Sequence, residues 1–384
     1  MQIALPTLAG LEDVLAEEFT ALGATDVSTG RRVVTGFGDR RLLYRANLEL
    51  RTALRVLLHH SRFPAPHEQA LYDRLRAVAW EEHLRPEGSL FVQVVNASPA
   101  FRNSHYLAQL TKDAIVDRFR DRTAGKRPSV DKRDPDLRIH LRIDRSGRAD
   151  LSLDSSGDGL HRRGYRRGTG PAPLNEVLAA GLLALAGYSG ERPFADPMCG
   201  SGTILAEAAT RAAHQAPGLF RDFGFQRWPD FEADLWAELR AAARSRRRTP
   251  PYPILGADVD PAAVRTARGA LDRVKLLAHA ELRQSAFSDL TAPAPGPDGA
   301  LLVTNPPYEM RLETGDIEAL YAMIGDTLKQ GWVGYTAWLI SANAAALKRI
   351  GLRSNQRIPL MNGPVEVRLC EYSLYSGREK KNPL

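Results

Sequence analysis

The chain has 384 residues, of which 43% are hydrophobic and 25% are charged. This length and composition predict two or three domains with buried cores, and they exclude a disordered, fibrous or peptide-sized protein. Lys and Arg number 52 against 45 Asp and Glu, so the net charge of +7 favours a polyanionic partner.

The cysteine and histidine content excludes several kinds of site. Two cysteines, Cys199 and Cys370, are too few for a disulfide framework or a four-thiolate zinc site, and the histidines show no metal-ligand spacing. No metal is therefore expected. The amino terminus lacks a basic start followed by an apolar core, and the longest apolar stretch, residues 177–188, is shorter than the roughly 20 residues of a membrane span. We expect a reduced, cytoplasmic protein with no membrane partner.

Residues up to about 160 show short alternating helices and strands, which predicts an α+β region packed as two small βα layers. Apolar residues between Leu8 and Leu22 recur at helical spacing, and Gly23 stands where a left-handed cap would end that helix. Further helices are predicted near 67–80 and at 104–122. The predicted strands are 32–35, 52–60, 89–95, 137–143 and 149–153.

From about residue 171 onward, apolar strands, glycine turns and helices recur as in a doubly wound sheet. The predicted parallel strands are 193–196, 253–258, 281–284, 300–304 and 336–341. Two later extended stretches, 352–360 and 365–374, are joined by Asn362, Gly363 and Pro364, which predicts a hairpin at the sheet edge. The Gly-rich and Arg-rich segment 155–173 separates the two halves.

The first motif, FADPMCGSGTI at 194–204, lies between a predicted strand and a helix. Gly200 and Gly202 permit a tight turn and close approach of a ligand, while Asp196 places a carboxylate at the carboxyl end of the strand. This pattern predicts a nucleotide-like cradle, with a purely structural turn as the alternative. A dinucleotide fingerprint would require glycine where Leu205 stands, so NAD is disfavoured.

The second motif, ILGADVDP at 254–261, is a strand that ends in acids. An acid at the end of the second strand can accept hydrogen bonds from both hydroxyls of a ribose, and Asp258 suits this role. Asp260 precedes Pro261 and has the alternative role of capping the next helix.

The third motif, TNPPY at 304–308, follows a hydrophobic strand. The side-chain carbonyl of Asn305 and the main-chain carbonyl of Pro306 can accept the N–H groups of an amine conjugated to a heteroaromatic ring. Such bonds orient the nitrogen lone pair toward an electrophile. Pro307 stiffens the corner, and Tyr308 offers a face on which a flipped-out base can stack. The alternative is a plain turn.

Together, DPMCGSGT, GADVD and NPPY resemble the S-adenosylmethionine-dependent amino-methyltransferases with a Rossmann-like core. Before them, RNSHY at 102–106, KDAIV at 112–116, DPDLR at 134–138 and LDSSGDGLHRRGYR at 153–166 resemble a THUMP-containing RNA module. The combination is similar to the RNA guanine-N2 methyltransferases, in particular to the amino-terminal half of the bifunctional large-subunit rRNA methyltransferase, over nearly the whole chain. The NPPY motif alone would also fit DNA adenine methylases.

This resemblance implies an α/β Rossmann-like methyltransferase domain with a mostly parallel sheet and a terminal antiparallel hairpin, preceded by α+β ferredoxin-like and THUMP domains. The expected boundaries are 1–40 for the ferredoxin-like region, 41–157 for THUMP, 158–173 for a linker and 174–384 for the methyltransferase. The implied reaction moves a methyl group from S-adenosylmethionine to the N2 amine of a guanosine in large-subunit (23S) rRNA or a ribosome precursor, leaving S-adenosylhomocysteine. A tRNA guanine-N2 methyltransferase and a non-catalytic RNA-binding or assembly factor stay open as alternatives.

The resemblance also assigns residues. The expected catalytic residues are Asn305, Pro306, Pro307 and Tyr308. The expected cofactor-binding residues are Asp196, Pro197, Met198, Gly200, Ser201, Gly202, Thr203, Asp258, Val259 and Asp289. Where the family has an acid that binds the adenine amine, this chain has Ala286, and Asp289 or a main-chain group near Ser285 is the expected substitute. Two further departures from the family pattern are Val177 in place of Thr and Glu309 in place of Gly.

The stretch HRRGYRR at 161–167 interleaves arginines with a tyrosine, a pattern that can combine phosphate contacts with base stacking. Its alternative is a solvated basic linker. Arg102 and Asn103 precede a predicted helix, where they can contact a phosphate or cap the helix. The expected RNA-binding residues are Arg102, Asn103, Arg162, Arg163, Tyr165, Arg166 and Arg167.

Overall fold

A computed structural model describes residues 1–101, 103–166, 174–307 and 317–375. The chain divides into two compact units. Unit 1 comprises Met1–Thr7, Leu15–Leu160 and Arg221–Ala242, and unit 2 comprises Leu8–Val14, His161–Phe220 and Ala243–Leu384. Among the described residues, no helix has both the length and the apolar character that a membrane crossing requires.

Unit 1 is built on one eight-stranded sheet with the order β2-β3-β1-β4-β8-β7-β5-β6. Its elements are β1 (Gln2–Pro6), α1 (Glu12–Ala21), β2 (Thr25–Gly30), β3 (Val33–Phe37), α2 (Arg40–Glu49), β4 (Leu57–Pro64), α3 (Glu68–Ala77), β5 (Ser89–Asn96), α4 (Ser104–Arg122), β6 (Ser129–Val130), β7 (Leu137–Ile143) and β8 (Arg148–Asp154); α1 starts in unit 2 and ends in unit 1. The expectation of two separate βα layers is wrong. Strand β4 pairs with β1 on one side and with β8 on the other, so the two halves share a single sheet.

Local signals explain why several of these elements form where they do. Helix α4 begins after Asn103, whose side chain accepts hydrogen bonds from the N–H groups of His105 and Tyr106. Helix α2 begins in the same way after Asp39, whose side chain accepts from the Leu42 N–H. Among the predicted strands of unit 1, β7 has the predicted bounds and the others are present with shifted ends, whereas β1, β2, β6 and α2 were not predicted.

The segment Arg221–Ala242 belongs to unit 1, although its neighbours on both sides in the chain belong to unit 2. The Tyr44 ring on α2 stacks on Phe225 with ring centroids 4.2 Å apart, and Trp236 meets Phe225 edge-on at 5.1 Å. Arg40 Nη2 also bonds the Asp230 carboxylate at 2.6 Å. The segment therefore completes the core of unit 1 with a buried aromatic cluster.

Unit 2 contains a seven-stranded sheet with the order β11-β10-β9-β12-β13-β15-β14. Its elements are α5 (Glu176–Leu185), β9 (Phe194–Asp196), α6 (Thr203–Ala212), α7 (Ala233–Ser245), β10 (Ile254–Asp258), α8 (Pro261–Arg273), β11 (Ala280–Gln284), β12 (Ala300–Thr304), α9 (Ile317–Gly331), β13 (Tyr335–Ser341), α10 (Ala344–Arg349), β14 (Gln356–Asn362) and β15 (Val365–Ser373); α7 starts in unit 1 and ends in unit 2. The first five strands of this order are parallel, and β14 and β15 form an antiparallel hairpin. The predicted fold class is confirmed.

Strand β9 lies at the point where the strand order of this sheet reverses. The chain passes from β9 to β10 and β11 on one side, and then returns to β12 on the other side. In open α/β sheets, ligands bind in the crevice outside the carboxyl ends of the strands at such a point. The three sequence motifs follow β9, β10 and β12, so the fold brings all three to this crevice.

Candidate functional site

The register of the parallel strands aligns the ends of the three motif strands. Gly256 on β10 pairs with Asp196 on β9, and Leu302 on β12 pairs with Ala195 on β9. Asp196, Asp258 and Thr304 are the last residues of their strands. The glycine turn, the acidic strand end and the Asn-Pro-Pro corner therefore lie at one edge of the sheet.

The glycine turn after β9 has two left-handed positions, with φ of +53° at Gly200 and +77° at Gly202. A Cβ at Gly202 would lie 2.7 Å from the Cα of Ala267 on α8, so this glycine permits close packing of the turn on a helix. A Cβ at Gly200 would meet no described atom within 4 Å. Gly200 thus borders open space, as a residue that cradles a ligand must.

Asp258 holds this turn in place. Its carboxylate accepts one hydrogen bond from the Gly200 N–H at 2.9 Å and one from the Asp260 N–H at 3.0 Å. A carboxylate has about four acceptor positions, so it retains capacity for two hydroxyl donors. Asp260 caps α8 by accepting from the Ala262 N–H, which confirms its alternative structural role. The side chain of Val259 is 65% exposed beside these acids and offers an apolar contact for a ring.

Asp196 is a buried acid at the base of the crevice, with 1% of its surface exposed. Its Oδ1 accepts hydrogen bonds from the Thr304 hydroxyl at 2.8 Å and from the Met198 N–H at 3.4 Å. Burial raises the pKa of Asp196 to about 7, and the two hydrogen bonds oppose this shift while the charge of Asp258 adds to it. The site thus contains a carboxyl group that changes charge near neutral pH.

Asn305 starts the corner that follows β12. Its Oδ1 is buried and has no hydrogen-bond partner among the described residues. The two following residues, Pro306 and Pro307, have no N–H to supply one. A buried acceptor without a donor is costly, so this oxygen fits a site for an external N–H group. Tyr308 and Glu309 lie outside the described residues.

The loop after β11 contains the expected adenine side of the cradle. Ala286 precedes a short 3₁₀ helix, Phe287–Asp289, and the Ser285 N–H bonds the main-chain oxygen of Asp258 at 3.1 Å. Asp289 is exposed, and its carboxylate accepts from the Ser288 hydroxyl at 3.0 Å. The adenine contact through Asp289 stays a prediction.

Two of the residues expected to bind RNA are instead interior residues of unit 2. Arg163 and Tyr165 are 5% and 4% exposed, so neither offers a face to a base or a phosphate. Both contact Glu207 on α6, with a Tyr165 hydroxyl bond of 2.9 Å and an Arg163 ion pair of 3.5 Å. The reason is that Glu207 is itself 2% exposed, and a buried carboxylate requires donors around it.

Arg166 continues this internal network toward the glycine turn. Its Nη2 donates to the main-chain oxygen of Leu174 at 2.7 Å and to the hydroxyl of Thr203 at 3.2 Å, and its Nη1 lies 3.4 Å from Glu176. Sequence reasoning missed this network. The available signal was Glu207 itself, a single acid within the alanine-rich helix α6.

The other residues expected to bind RNA include a helix cap and an exposed arginine. Asn103 caps α4 through its side-chain oxygen, as its alternative role required. Arg162 is exposed. Arg102 and Arg167 lie outside the described residues. Within the described ranges, no group of three or more His, Cys, Asp or Glu side chains is arranged to hold a metal ion.

Comparison with known proteins gives three domain matches along the chain. Residues 2–57 match the family described as RlmL ferredoxin-like domain, and residues 65–154 match the THUMP domain. Residues 163–371 match the family described as RMKL-like, methyltransferase domain. The third match covers more than half of the chain and includes all three motifs.

Individual relatives agree with these matches. The chain is 42% identical over 371 residues to slr0064 of Synechocystis sp., a proposed RNA methyltransferase, with 95% of each protein covered. It is 41% identical over 379 residues to the ribosomal RNA large subunit methyltransferase K/L of Syntrophotalea carbinolica. That match covers 53% of the relative, so the chain spans about half the length of the K/L proteins. The crystal structure of SMU.472 complexed with SAH superposes with a TM-score of 0.87 at 27% identity over 99% of both chains.

Proposed function

The chain belongs to the RMKL-like methyltransferase family, and we propose that it transfers a methyl group from S-adenosylmethionine to the N2 amine of a guanosine in large-subunit rRNA. The observation that carries the proposal is the buried Oδ1 of Asn305, which has no hydrogen-bond partner among the described residues and lies at the same end of the sheet as the glycine turn. An acceptor in this position fits an amine, and an amine needs such acceptors to become a nucleophile.

The residues of the crevice suit the donor. Gly200 borders open space at the turn, Asp258 retains acceptor capacity for ribose hydroxyls, and Val259 exposes an apolar surface to a ring. In its ionised form, Asp196 supplies negative charge for the α-ammonium group of the methionine end. The relative SMU.472 was crystallised with SAH, which supports the same ligand class here. When bound, the donor supplies an electrophilic sulfonium methyl group.

The chain's own contribution to the chemistry is the placement of the amine. The lone pair of an exocyclic amine is delocalised into the ring, so the nitrogen attacks poorly unless its N–H groups are held by acceptors. Asn305 Oδ1 accepts one such bond, and the main-chain oxygen of Pro306 accepts the other. These oxygens also stabilise the positive charge that develops on nitrogen, and the proton then leaves to water.

RNA is the proposed substrate because the methyltransferase match follows a THUMP match in one chain. The K/L relatives are named for large-subunit rRNA, and the net charge of +7 suits a polyanion. The guanine N2 position and the 23S substrate are finer proposals, since the same amine corner would serve a tRNA guanine. The non-catalytic alternative predicts RNA binding without methyl transfer.

The test is methyl transfer from labelled S-adenosylmethionine to rRNA and tRNA isolated from a deletion strain, followed by mass analysis of nucleosides. We expect N2-methylguanosine in large-subunit rRNA. For Asn305→Ala we expect transfer to fall about 100- to 1,000-fold, as is typical for one preorganised polar group. Undiminished transfer by Asn305→Ala would refute the mechanism. Methylated tRNA, or RNA binding without transfer, would support the corresponding alternative instead.

A further inference from the structure

Thr304 connects two parts of the proposed site that are far apart in the sequence. Its side chain is fully buried, and its hydroxyl donates a 2.8 Å hydrogen bond to Oδ1 of Asp196, which lies 108 residues earlier. The strands that carry the two residues are parallel neighbours in the sheet. The bond therefore joins the strand end that leads into the glycine turn to the strand end that leads into the Asn-Pro-Pro corner.

This hydrogen bond affects both of its partners. On the Asp196 side, the hydroxyl lowers the pKa of a carboxyl group that burial and the charge of Asp258 raise, so it favours the ionised form. On the other side, the bond restrains Thr304, the residue directly before Asn305. The buried Oδ1 of Asn305 has no partner of its own among the described residues to fix its position.

We propose that Thr304 is a positioning residue that locks the amine-binding corner to the donor-binding turn through its hydrogen bond to Asp196. The inference rests on the proposed function. It adds a residue that acts by positioning Asp196 and Asn305 and does not act on the reacting atoms. Transfer requires the donor and the amine to be aligned, and a misplacement of about 1 Å can cost on the order of 100-fold in rate. One hydroxyl bonded across the two strand ends keeps the donor and amine sites in register.

The test compares Thr304→Val, which keeps the size and removes the hydroxyl, with Thr304→Ser, which keeps the hydroxyl. Thr111→Val is the matched control, because Thr111 is a fully buried threonine of unit 1 whose hydroxyl donates to a main-chain oxygen of its own helix, that of Leu107, at 2.7 Å. We expect kcat for RNA methylation to fall about 10- to 100-fold in Thr304→Val, which is the effect of losing a hydrogen bond to a charged group. Thr304→Ser should stay within about threefold of wild type, and Thr111→Val should be unchanged.

A second readout separates positioning from a general loss of structure. The ionised form of Asp196 attracts the α-ammonium group of the methionine end, which the donor and S-adenosylhomocysteine share, so binding of S-adenosylhomocysteine should weaken as the pH falls through about 7. In Thr304→Val the carboxyl loses a stabilising donor, and we expect this midpoint to rise by about one pH unit. Isothermal titration calorimetry at several pH values between about 6 and 9 measures this midpoint.

Several outcomes would overturn the inference. Unchanged kcat and an unchanged binding midpoint in Thr304→Val would sink it while leaving the proposed function intact. A Ser variant as impaired as the Val variant would show that the methyl group matters and the hydroxyl does not. If Thr304→Val fails to fold, Thr304→Ser is compared with Thr304→Cys, whose thiol is a weak donor, and equal activities count against the inference. A wild-type protein that neither binds S-adenosylhomocysteine nor transfers methyl would overturn the proposed function, and this inference with it.

Discussion

Replacing Gly200 by alanine should weaken donor binding much more than it weakens folding. The residue has φ of +53°, so alanine there costs about 1–2 kcal/mol of unfolding free energy. The added methyl group would meet no described protein atom within 4 Å, so it enters the space assigned to the donor. Overpacking against a bound ligand costs about 1–3 kcal/mol, which corresponds to about 5- to 150-fold weaker binding of S-adenosylhomocysteine.

Gly363 provides a matched control for this change. It lies in the turn between β14 and β15 with φ of +61°, and a Cβ there would also meet no described atom within 4 Å. Gly363→Ala should therefore lose the same stability in urea unfolding while binding S-adenosylhomocysteine with wild-type affinity in calorimetry. Gly202→Ala should lose more stability than either variant, about 2–5 kcal/mol relative to wild type, since its methyl group would also collide with Ala267. Equal ligand affinity of Gly200→Ala and wild type would show that the turn does not hold the donor.

Two further predictions concern charge. The pKa of Asp196 is raised from 3.8 to about 7, so the stability that it contributes is fully present below pH 3.8 and is lost as the pH rises through 7. In urea unfolding from pH 4 to pH 8, the free energy of unfolding should decline as the pH rises, and Asp196→Asn should make that decline smaller by about 4 kcal/mol at most. An identical decline in the variant would contradict the raised pKa of Asp196. Tyr165→Phe should cost about 1–3 kcal/mol of stability because Glu207 loses a buried donor, while RNA affinity stays unchanged. Arg162→Ala removes an exposed cation and should weaken RNA binding and reduce its salt dependence. Filter-binding titrations in which Tyr165→Phe weakens RNA binding and Arg162→Ala does not would return Tyr165 to the RNA surface.

The sequence predicted the elements that carry a local signal. Helix α4 occupies the predicted range because Asn103 caps it, and β12 occupies its predicted range because five buried residues end at a polar corner. Strand β2 was missed because it is almost wholly exposed and polar, so its residues show no alternation. Strand β4 was predicted too early, since the polar stretch 59–62 in its middle interrupts the apolar pattern before Phe63. For β2 and β4, the missing information was the pairing with a neighbouring strand.

The candidate site shows the same contrast between residues with a local signal and residues that depend on distant partners. Asp196, Asp258 and Asn305 were selected because residues at the ends of parallel strands converge whatever the intervening sequence contains. The burial of Arg163 and Tyr165 was not predictable from a basic stretch that looks solvated, because it depends on Glu207, which lies more than 40 residues later in the chain. The hydrogen bond between Thr304 and Asp196 was missed for the same reason, since Asp196 precedes Thr304 by 108 residues.

Register is the property that turns three separate motifs into one site. Adjacent residues on a strand are about 3.3 Å apart and point to opposite faces, so a slip of one position between β12 and β9 would carry the Thr304 hydroxyl away from Asp196 and turn it to the other face. The pairing of Leu301 with Phe194 and of Leu302 with Ala195 prevents such a slip, because all four residues are buried. The apolar residues of these strands therefore fix the distance between the glycine turn and the Asn-Pro-Pro corner. A substitution that shifted this register should lower methyl transfer even if the protein stayed folded and every motif residue were retained.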